Sequence, residues 1–319
     1  MAKKPQKDTS PFKLLVAWHP GASTAEDGTD ATSVIEYAAW LARTTDVCIR
    51  VVSTFVRPWP ATSLSKMGGK YKKWHSKEAE ACEAEVKKAL SAAGIDKKYW
   101  DEQVSEFRDG TSEAGLIVKA AHDFEADLIL MNGTDAAPKS RLLSGTTVDN
   151  LLNSSAHPLG MIPHTARLSK RGVTRINYGF VDGEQNNSVL LHAAKLATEW
   201  DVPLRVIAFA PELVEDTAAM ITPVTVDSEI KVQWREHLYA TLDRAHDIVG
   251  AEFPNLEIET EVGSGRNWST SVDAVKWKKG DLLYLASVPL GPIERVFVGS
   301  ETSQLLHYAP VPVIIRPVS

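Results

Sequence analysis

Short apolar runs alternate with longer amphipathic stretches along this chain. The runs at 13–18 and 47–56 predict buried strands. Between them, apolar residues recur at helical spacing over 32–43, which predicts a helix with one buried face. The same alternation continues to the end of the sequence. Strands that alternate with helices in this way predict an α/β fold, in which parallel sheets carry helices on both faces.

The pattern predicts five strands in each half of the chain, and the ten predicted strands are 13–18, 47–56, 104–107, 127–131, 159–162, 176–181, 203–210, 256–262, 281–286 and 311–315. It also predicts four helices in each half, at 32–43, 65–93, 112–122, 148–155, 188–199, 227–249, 270–278 and 302–306. The fold class is therefore two tandem five-stranded parallel sheets.

An internal repeat supports this division. The segment from Asp127 to Pro163 aligns without a gap to the segment from Asp281 to Pro317. A repeat of this length indicates two copies of one structural plan. We therefore predict a disordered tail at 1–11, a first domain at 12–166, a linker at 167–172 and a second domain at 173–319. The polar segment 22–30, which has no counterpart of equal length in the second half, is expected to be a surface loop.

Composition restricts the classes of function. The 319 residues suffice for two domains, and a net charge of −6 argues against nucleic acid or an anionic membrane as the main partner. No run approaches the roughly 18 apolar residues of a membrane helix. The Lys-rich segment 1–11 lacks the apolar core of a secretory signal, and there are two cysteines. These features predict a cytoplasmic protein.

The repeat also indicates where a ligand would bind. In open parallel sheets, ligands lie beyond the carboxyl ends of the strands. In both copies a loop at that edge leads through Gly145-Thr146 or Gly299-Ser300 into a predicted helix. Backbone N–H groups at a helix start, together with a hydroxyl, can bind phosphate. A plain helix cap would have the same sequence, so both interpretations stay open.

The two copies, with the endings HPLGMIP and VPVIIRP, resemble the universal stress protein family in a tandem two-domain form. The resemblance covers nearly the whole chain from Lys13 to Pro317. It implies a flavodoxin-like fold of the adenine nucleotide alpha hydrolase type and pairing of domains through their last strands. In ATP-binding members, a loop with the pattern Gly-x2-Gly-x9-Gly-Ser/Thr holds ribose and phosphates, and an Asp after the first strand contacts adenine.

This chain departs from that loop pattern in both copies. The two earlier glycine positions hold Asn132 and Asp135 in the first copy, and Ala286 and Pro289 in the second. Asparagine tolerates the left-handed conformation better than alanine, and proline removes a backbone donor. The carboxylate of Asp135 would repel polyphosphate unless a cation or Arg141 intervened.

The second half keeps more of the implied nucleotide site. The adenine-contacting Asp matches Asp182 there, whereas the first half has Pro20. The resemblance then implies that Gly299 and Ser300 hold the phosphates, with Arg295 nearby. The predicted ligand is ATP or a related adenine nucleotide, with Mg²⁺ as its companion cation.

Further candidates come from the strand ends and the first half. Thr54 and Phe209, at the ends of the two second strands, are expected to wall the base pocket. Arg141, Gly145 and Thr146 are the first-half residues that would contact phosphate.

Three functional classes remain open at this point. The first is a non-catalytic, nucleotide-binding protein of the stress response. The second is a nucleotide-free interaction module with vestigial clefts, whose halves pair through 159–162 and 311–315. A homodimer is also expected. The third class, an enzyme, lacks an evident base or metal cluster, since the histidines show no metal-binding spacing and no hydrolase motif is present.

Overall fold

The computed structural model describes most of the chain, namely residues 10–18, 33–58, 64–132, 146–163, 166–180, 187–211, 228–287 and 301–317. The predicted tail (except residues 10 and 11) and the predicted loop at 22–30 lie outside these residues. Everything that follows concerns the described part.

Its first half contains five strands and four helices in alternation. The strands are β1 (Phe12–Ala17), β2 (Val47–Val56), β3 (Trp100–Gly110), β4 (Leu128–Asn132) and β5 (Leu159–Ile162). The helices are α1 (Ser33–Ala42), α2 (Leu64–Ala92), α3 (Glu113–Phe124) and α4 (Thr146–Ser154). A single 3-10 turn at Lys97–Tyr99 precedes β3.

The second half repeats this order. Its strands are β6 (Arg175–Phe180), β7 (Leu204–Pro211), β8 (Ile258–Gly265), β9 (Asp281–Ser287) and β10 (Val313–Pro317). Its helices are α5 (Asn187–Trp200), α6 (Ser228–Glu252), α7 (Trp268–Asp273) and α8 (Glu301–Tyr308). The predicted α/β class and the predicted order of elements are confirmed.

Two elements depart most from their predicted bounds, and a third contains an interruption. Strand β3 extends beyond the predicted range 104–107 at both ends. The sequence did not predict these outer residues because they are partly exposed and lack a continuous apolar run. Helix α7 ends at Asp273 rather than at 278, and the indole N–H of Trp277 donates to the carbonyl of Val272. Helix α2 is interrupted at Gly68, whose φ of 50° lies in the left-handed region that favours glycine.

The two five-stranded halves form one ten-stranded sheet, in the order β3-β2-β1-β4-β5-β10-β9-β6-β7-β8. Neighbouring strands within each half run parallel. The central pair, β5 and β10, is antiparallel. The predicted pairing of the last strands therefore occurs within one chain. The shared sheet does not separate the halves into independent units, so the domain bounds of 12–166 and 173–319 stay a prediction.

Alternating side chains of the strands build two apolar layers. In β4, Leu128 and Leu130 face the layer that contains α1, α2, α5 and α6. Ile129 and Met131 face the opposite layer, which contains α3, α4, α7 and α8. Period-two alternation thus buries both faces of the strand, which explains its continuous apolar sequence.

Close packing surrounds the central pair of strands. Gly160 of β5 pairs with Ile314 of β10. A Cβ atom on Gly160 would lie 2.5 Å from a methyl carbon of Leu130 and 3.3 Å from the ring of Tyr37. The hydroxyl of Tyr37 donates across the junction to the carbonyl of Val313, at 3.4 Å. Burial raises the pKa of Tyr37 well above its ordinary value, so the hydroxyl keeps its proton.

His192 occupies the position in α5 that Tyr37 has in α1. Its Nε2 lies 3.0 Å from a guanidinium nitrogen of Arg316, and its Nδ1 lies 2.9 Å from the hydroxyl of Tyr284. A guanidinium can only donate, so Nε2 accepts and the neutral ring carries its proton on Nδ1. Burial, and then the positive charges of Arg316 and Lys195, lower the pKa of His192 to about 4.

A valine at position 160 is expected to disturb this junction. The Gly160→Val side chain would collide with Leu130 and Tyr37. We expect the free energy of unfolding to fall by about 1–3 kcal/mol. Urea titration measures it. Gly250→Ala is the matched control, since a Cβ there has open space within a helix, and it should stabilise by about 0.5–1 kcal/mol. Equal stability of Gly160→Val and wild type would contradict the packing described.

His192 predicts a component of acid sensitivity. The unfolded chain binds this proton near pH 6.5, whereas the folded chain binds it near pH 4. The free energy of unfolding should therefore fall as the pH drops from about 6.5 to 4. His192→Asn should be less stable at pH 7 but should lose less stability over that window. Urea titrations at several pH values test this, with the exposed His122→Asn as control. Parallel curves for wild type and His192→Asn would refute it.

Candidate functional site

The strand order places a candidate site at one edge of each half. In the first half the chain passes from β1 outward to β2 and β3 and then returns to β4 on the other side of β1. The second half reverses direction in the same way between β6 and β9. Ligands of open α/β sheets bind beside such reversals, outside the carboxyl ends of the strands.

The first half has a cavity of about 160 Å³ at that position. It lies over the ends of β1, β2 and β4 on the side of α3, and its lining residues are Ala17, Trp18, Val52, Thr54, Glu113, Ile117, Met131 and Asn132. Thr54, a predicted wall of the base pocket, therefore lines a cleft at the expected edge. We name this feature the first-half cleft.

The carboxylate of Glu113 lies across the first-half cleft. The hydroxyl of Thr54 donates to one of its oxygens at 3.3 Å, and the hydroxyl of Thr147 donates to the other at 2.7 Å. Glu113 is held there because it begins α3, whose N-cap Ser112 accepts a hydrogen bond from the N–H of Gly115. One side chain thus connects the end of β2 to the first turn of α4.

Sequence reasoning missed Glu113. Ser112 indicates the helix start as an N-cap residue, and a glutamate in the first helical turn is too common to indicate a site. What matters is that this turn faces Thr54 and Thr147, which are separated from it by 59 and 34 residues. The chain's local pattern carries no signal of that contact.

Asn132 takes the place of the first loop glycine of the resemblance. It ends β4 in register with Ile162, and its side-chain oxygen accepts a hydrogen bond from the hydroxyl of Ser33 at 2.7 Å. It does not use the left-handed conformation that asparagine tolerates. Among described non-glycine residues, positive φ values occur at Glu125 and Asp201. The side chain instead ties the end of β4 to the start of α1.

The corresponding edge of the second half is more apolar. Phe209, the predicted second wall residue, lies in β7 beside Gly263 and is 8% exposed. A Cβ on Gly263 would lie 3.1 Å from the ring of Phe209 and 2.6 Å from the carbonyl oxygen of Ser271, so α7 lies close against these strands. Ala286, at the first glycine position, is buried in β9 beside Arg316.

Most of the predicted site residues lie outside the described residues, namely the phosphate contacts Arg141, Gly145, Arg295, Gly299 and Ser300 and the adenine contact Asp182. The loop positions Asp135 and Pro289 lie outside them too. The helices that follow are described. Helix α4 begins at Thr146, and α8 begins at Glu301, directly after Ser300. Each glycine–hydroxyl pair therefore adjoins a helix start, as predicted.

Other kinds of site find little support in the described part of the chain. No group of three or more His, Cys, Asp or Glu side chains there is placed to hold a metal ion. Cys48 and Cys82 are free thiols. None of the helices described has the length and apolar character needed to cross a bilayer.

Comparison with known proteins agrees with this architecture. The model of the Universal stress protein family matches residues 25–163 and again residues 172–317. A universal stress protein of Mycobacterium tuberculosis is 27% identical over 289 residues, which are 89% of this chain and 95% of that protein. A universal stress protein of Mycobacterium bovis matches to the same extent.

Solved structures show the same fold. A universal stress protein from Archaeoglobus fulgidus superposes with a TM-score of 0.63 at 17% identity, covering 96% of this chain and 98% of that one. A putative universal stress protein from Pseudomonas aeruginosa gives a TM-score of 0.51 at 12% identity, covering 97% and 94%. With two matched segments that together span most of its length, the chain belongs to the Universal stress protein family, in a tandem arrangement.

Proposed function

We propose that this protein acts in the response to stress by binding ATP or a related adenine nucleotide at the carboxyl edge of its second half. Family membership supports the stress-response role. The observation that carries the proposal of a ligand is the start of α8 directly after Gly299-Ser300, beside the reversal between β6 and β9. Backbone N–H groups at such a helix start favour phosphate.

The residues of the second half divide into three roles in this proposal. Gly299 and Ser300 would bind the phosphates, with Arg295 adding positive charge and Mg²⁺ as the companion cation. Asp182 would accept a hydrogen bond from the amino group of adenine. Phe209, which lies near the edge and is 8% exposed, would supply the apolar wall under the base. Ala286 stands against the family pattern but adds only a methyl group at this position.

Three further properties belong to the same proposal. We infer that the protein has no catalytic role of its own, that it is cytoplasmic and that whole chains form a homodimer. The pairing of β5 with β10 already satisfies the last strand of each half within one chain. A homodimer would therefore use another surface.

The alternative is a nucleotide-free interaction module with vestigial clefts. One observation favours it for the first half, where the carboxylate of Glu113 already binds the hydroxyls at the cleft. The two interpretations differ in a single measurable property, the binding of nucleotide by the intact chain.

Calorimetry with ATP and Mg²⁺ tests this property. We expect heat of binding for the wild type and an affinity at least about tenfold lower for Gly299→Val, because the added side chain keeps phosphate from the helix start. Gly145→Val, the equivalent change in the first half, is the matched control and should bind as the wild type does. The absence of binding heat with the wild type would contradict the nucleotide proposal. Loss of binding with Gly145→Val alone would move the ligand to the first half.

The proposed lack of catalysis is tested by incubating the protein with ATP and Mg²⁺ for hours. We expect phosphate release at the rate of the buffer blank, since no group of three or more His, Cys, Asp or Glu side chains in the described part of the chain is placed to hold a catalytic metal ion. The comparison protein is Asp182→Ala. Release by the wild type that this change abolishes would establish a hydrolase and contradict the proposal.

A further inference from the structure

The two halves differ in charge at one equivalent position beside their clefts. In the first half, Thr54 lies in register with Arg108, and Glu113 follows five residues later. In the second half, Phe209 lies in register with Gly263, and Trp268 follows five residues later. Position 113 and position 268 are each the first residue of their helix, directly after an N-cap.

Arg108, the cation that lies in register with Thr54, binds carboxylates other than that of Glu113. The guanidinium of Arg108 bonds the carboxylates of Glu106 and Asp123, at 2.6 and 2.8 Å. Among the described residues, two hydroxyls donate hydrogen bonds to Glu113, and they orient its carboxylate without adding a positive charge. In the second half, the same position carries the neutral, partly buried indole of Trp268.

We propose that Glu113 excludes phosphate-bearing ligands from the first-half cleft, so that the chain binds one nucleotide rather than two. The carboxylate excludes them in two ways. It repels a polyphosphate, and it occupies the hydroxyl of Thr147 in the first turn of α4, where an anion would otherwise bind. Glu113 is thereby a specificity-determining residue. The second half lacks such a charge at position 268, and its use as the one site rests on the proposed function.

Calorimetry with ATP and Mg²⁺ on the full chain tests the inference through the number of molecules bound. The informative variants are Glu113→Gln, which removes the charge and keeps the shape, and Glu113→Ala, which removes the side chain. The reverse variant is Trp268→Glu. Glu102→Gln is the matched control, because Glu102 is an exposed carboxylate near the opposite end of β3. Thermal melting of each variant confirms that it is folded.

We expect one nucleotide per chain for the wild type and for Glu102→Gln. At least one Glu113 variant should bind a second nucleotide, and Trp268→Glu should weaken the original site about tenfold or more. Two nucleotides bound by the wild type would overturn the inference. So would a failure of both Glu113 variants to bind more than the wild type does.

The two proposals fail in different ways. A wild type that binds no nucleotide counts against the proposed function of the second half. Binding that then appears in a Glu113 variant would still support exclusion at the first half, and its absence there would overturn exclusion as well.

Discussion

The antiparallel pairing of β5 with β10 determines how the two halves of the molecule are arranged. Three residues of each strand are in register, and Ile314 lies opposite Gly160. Each half ends in a strand whose edge would be exposed if the half stood alone, and exposed edges invite unwanted pairing. Joining the two edges leaves β3 and β8 as the outer strands, and both carry acidic residues along their length.

Because the central pair is antiparallel, the carboxyl ends of the two halves lie at opposite edges of the sheet. The two clefts therefore open at opposite edges of the sheet. The helices obey the same geometry. Those that follow the first two strands of each half share one face, and the later ones share the other.

The order of strands and helices was predictable from the sequence because it depends on local pattern and on the repeat. Aspartates 127 and 281, which begin the two copies, show what a repeat can and cannot indicate. Asp281 is fully buried and bonds the guanidinium of Arg175 at 3.0 Å, and Asp127 accepts from the N–H of Lys13 at 2.8 Å. Both lie at the amino ends of their strands, away from the clefts. The presence of aspartate in both copies therefore reflects folding rather than ligand binding.

The buried polar network around Asp281 could not be predicted from the sequence. Arg205 is 3% exposed, bonds the side-chain oxygen of Asn177 at 2.7 Å and forms an ion pair with Glu261. Removing one member of such a network would leave buried charge without its partner, which is costly. Nothing in the sequence pattern distinguishes these arginines from surface ones, because their burial follows from strand pairing across more than 50 residues.

The contents of the clefts were the least predictable feature, since they depend on which side chains meet across the ends of the strands. At three equivalent positions the first half has Thr54, Glu113 and Asn132, and the described contacts of these side chains are hydrogen bonds within the protein. The second half has Phe209, Trp268 and Ala286 there, whose side chains carry no charge. Polar groups that already bind one another must be separated before a ligand can replace them, whereas apolar side chains hold no such hydrogen bonds to break. The same fold thus has hydrogen-bonded polar side chains at the edge of one half and apolar side chains at the equivalent positions of the other.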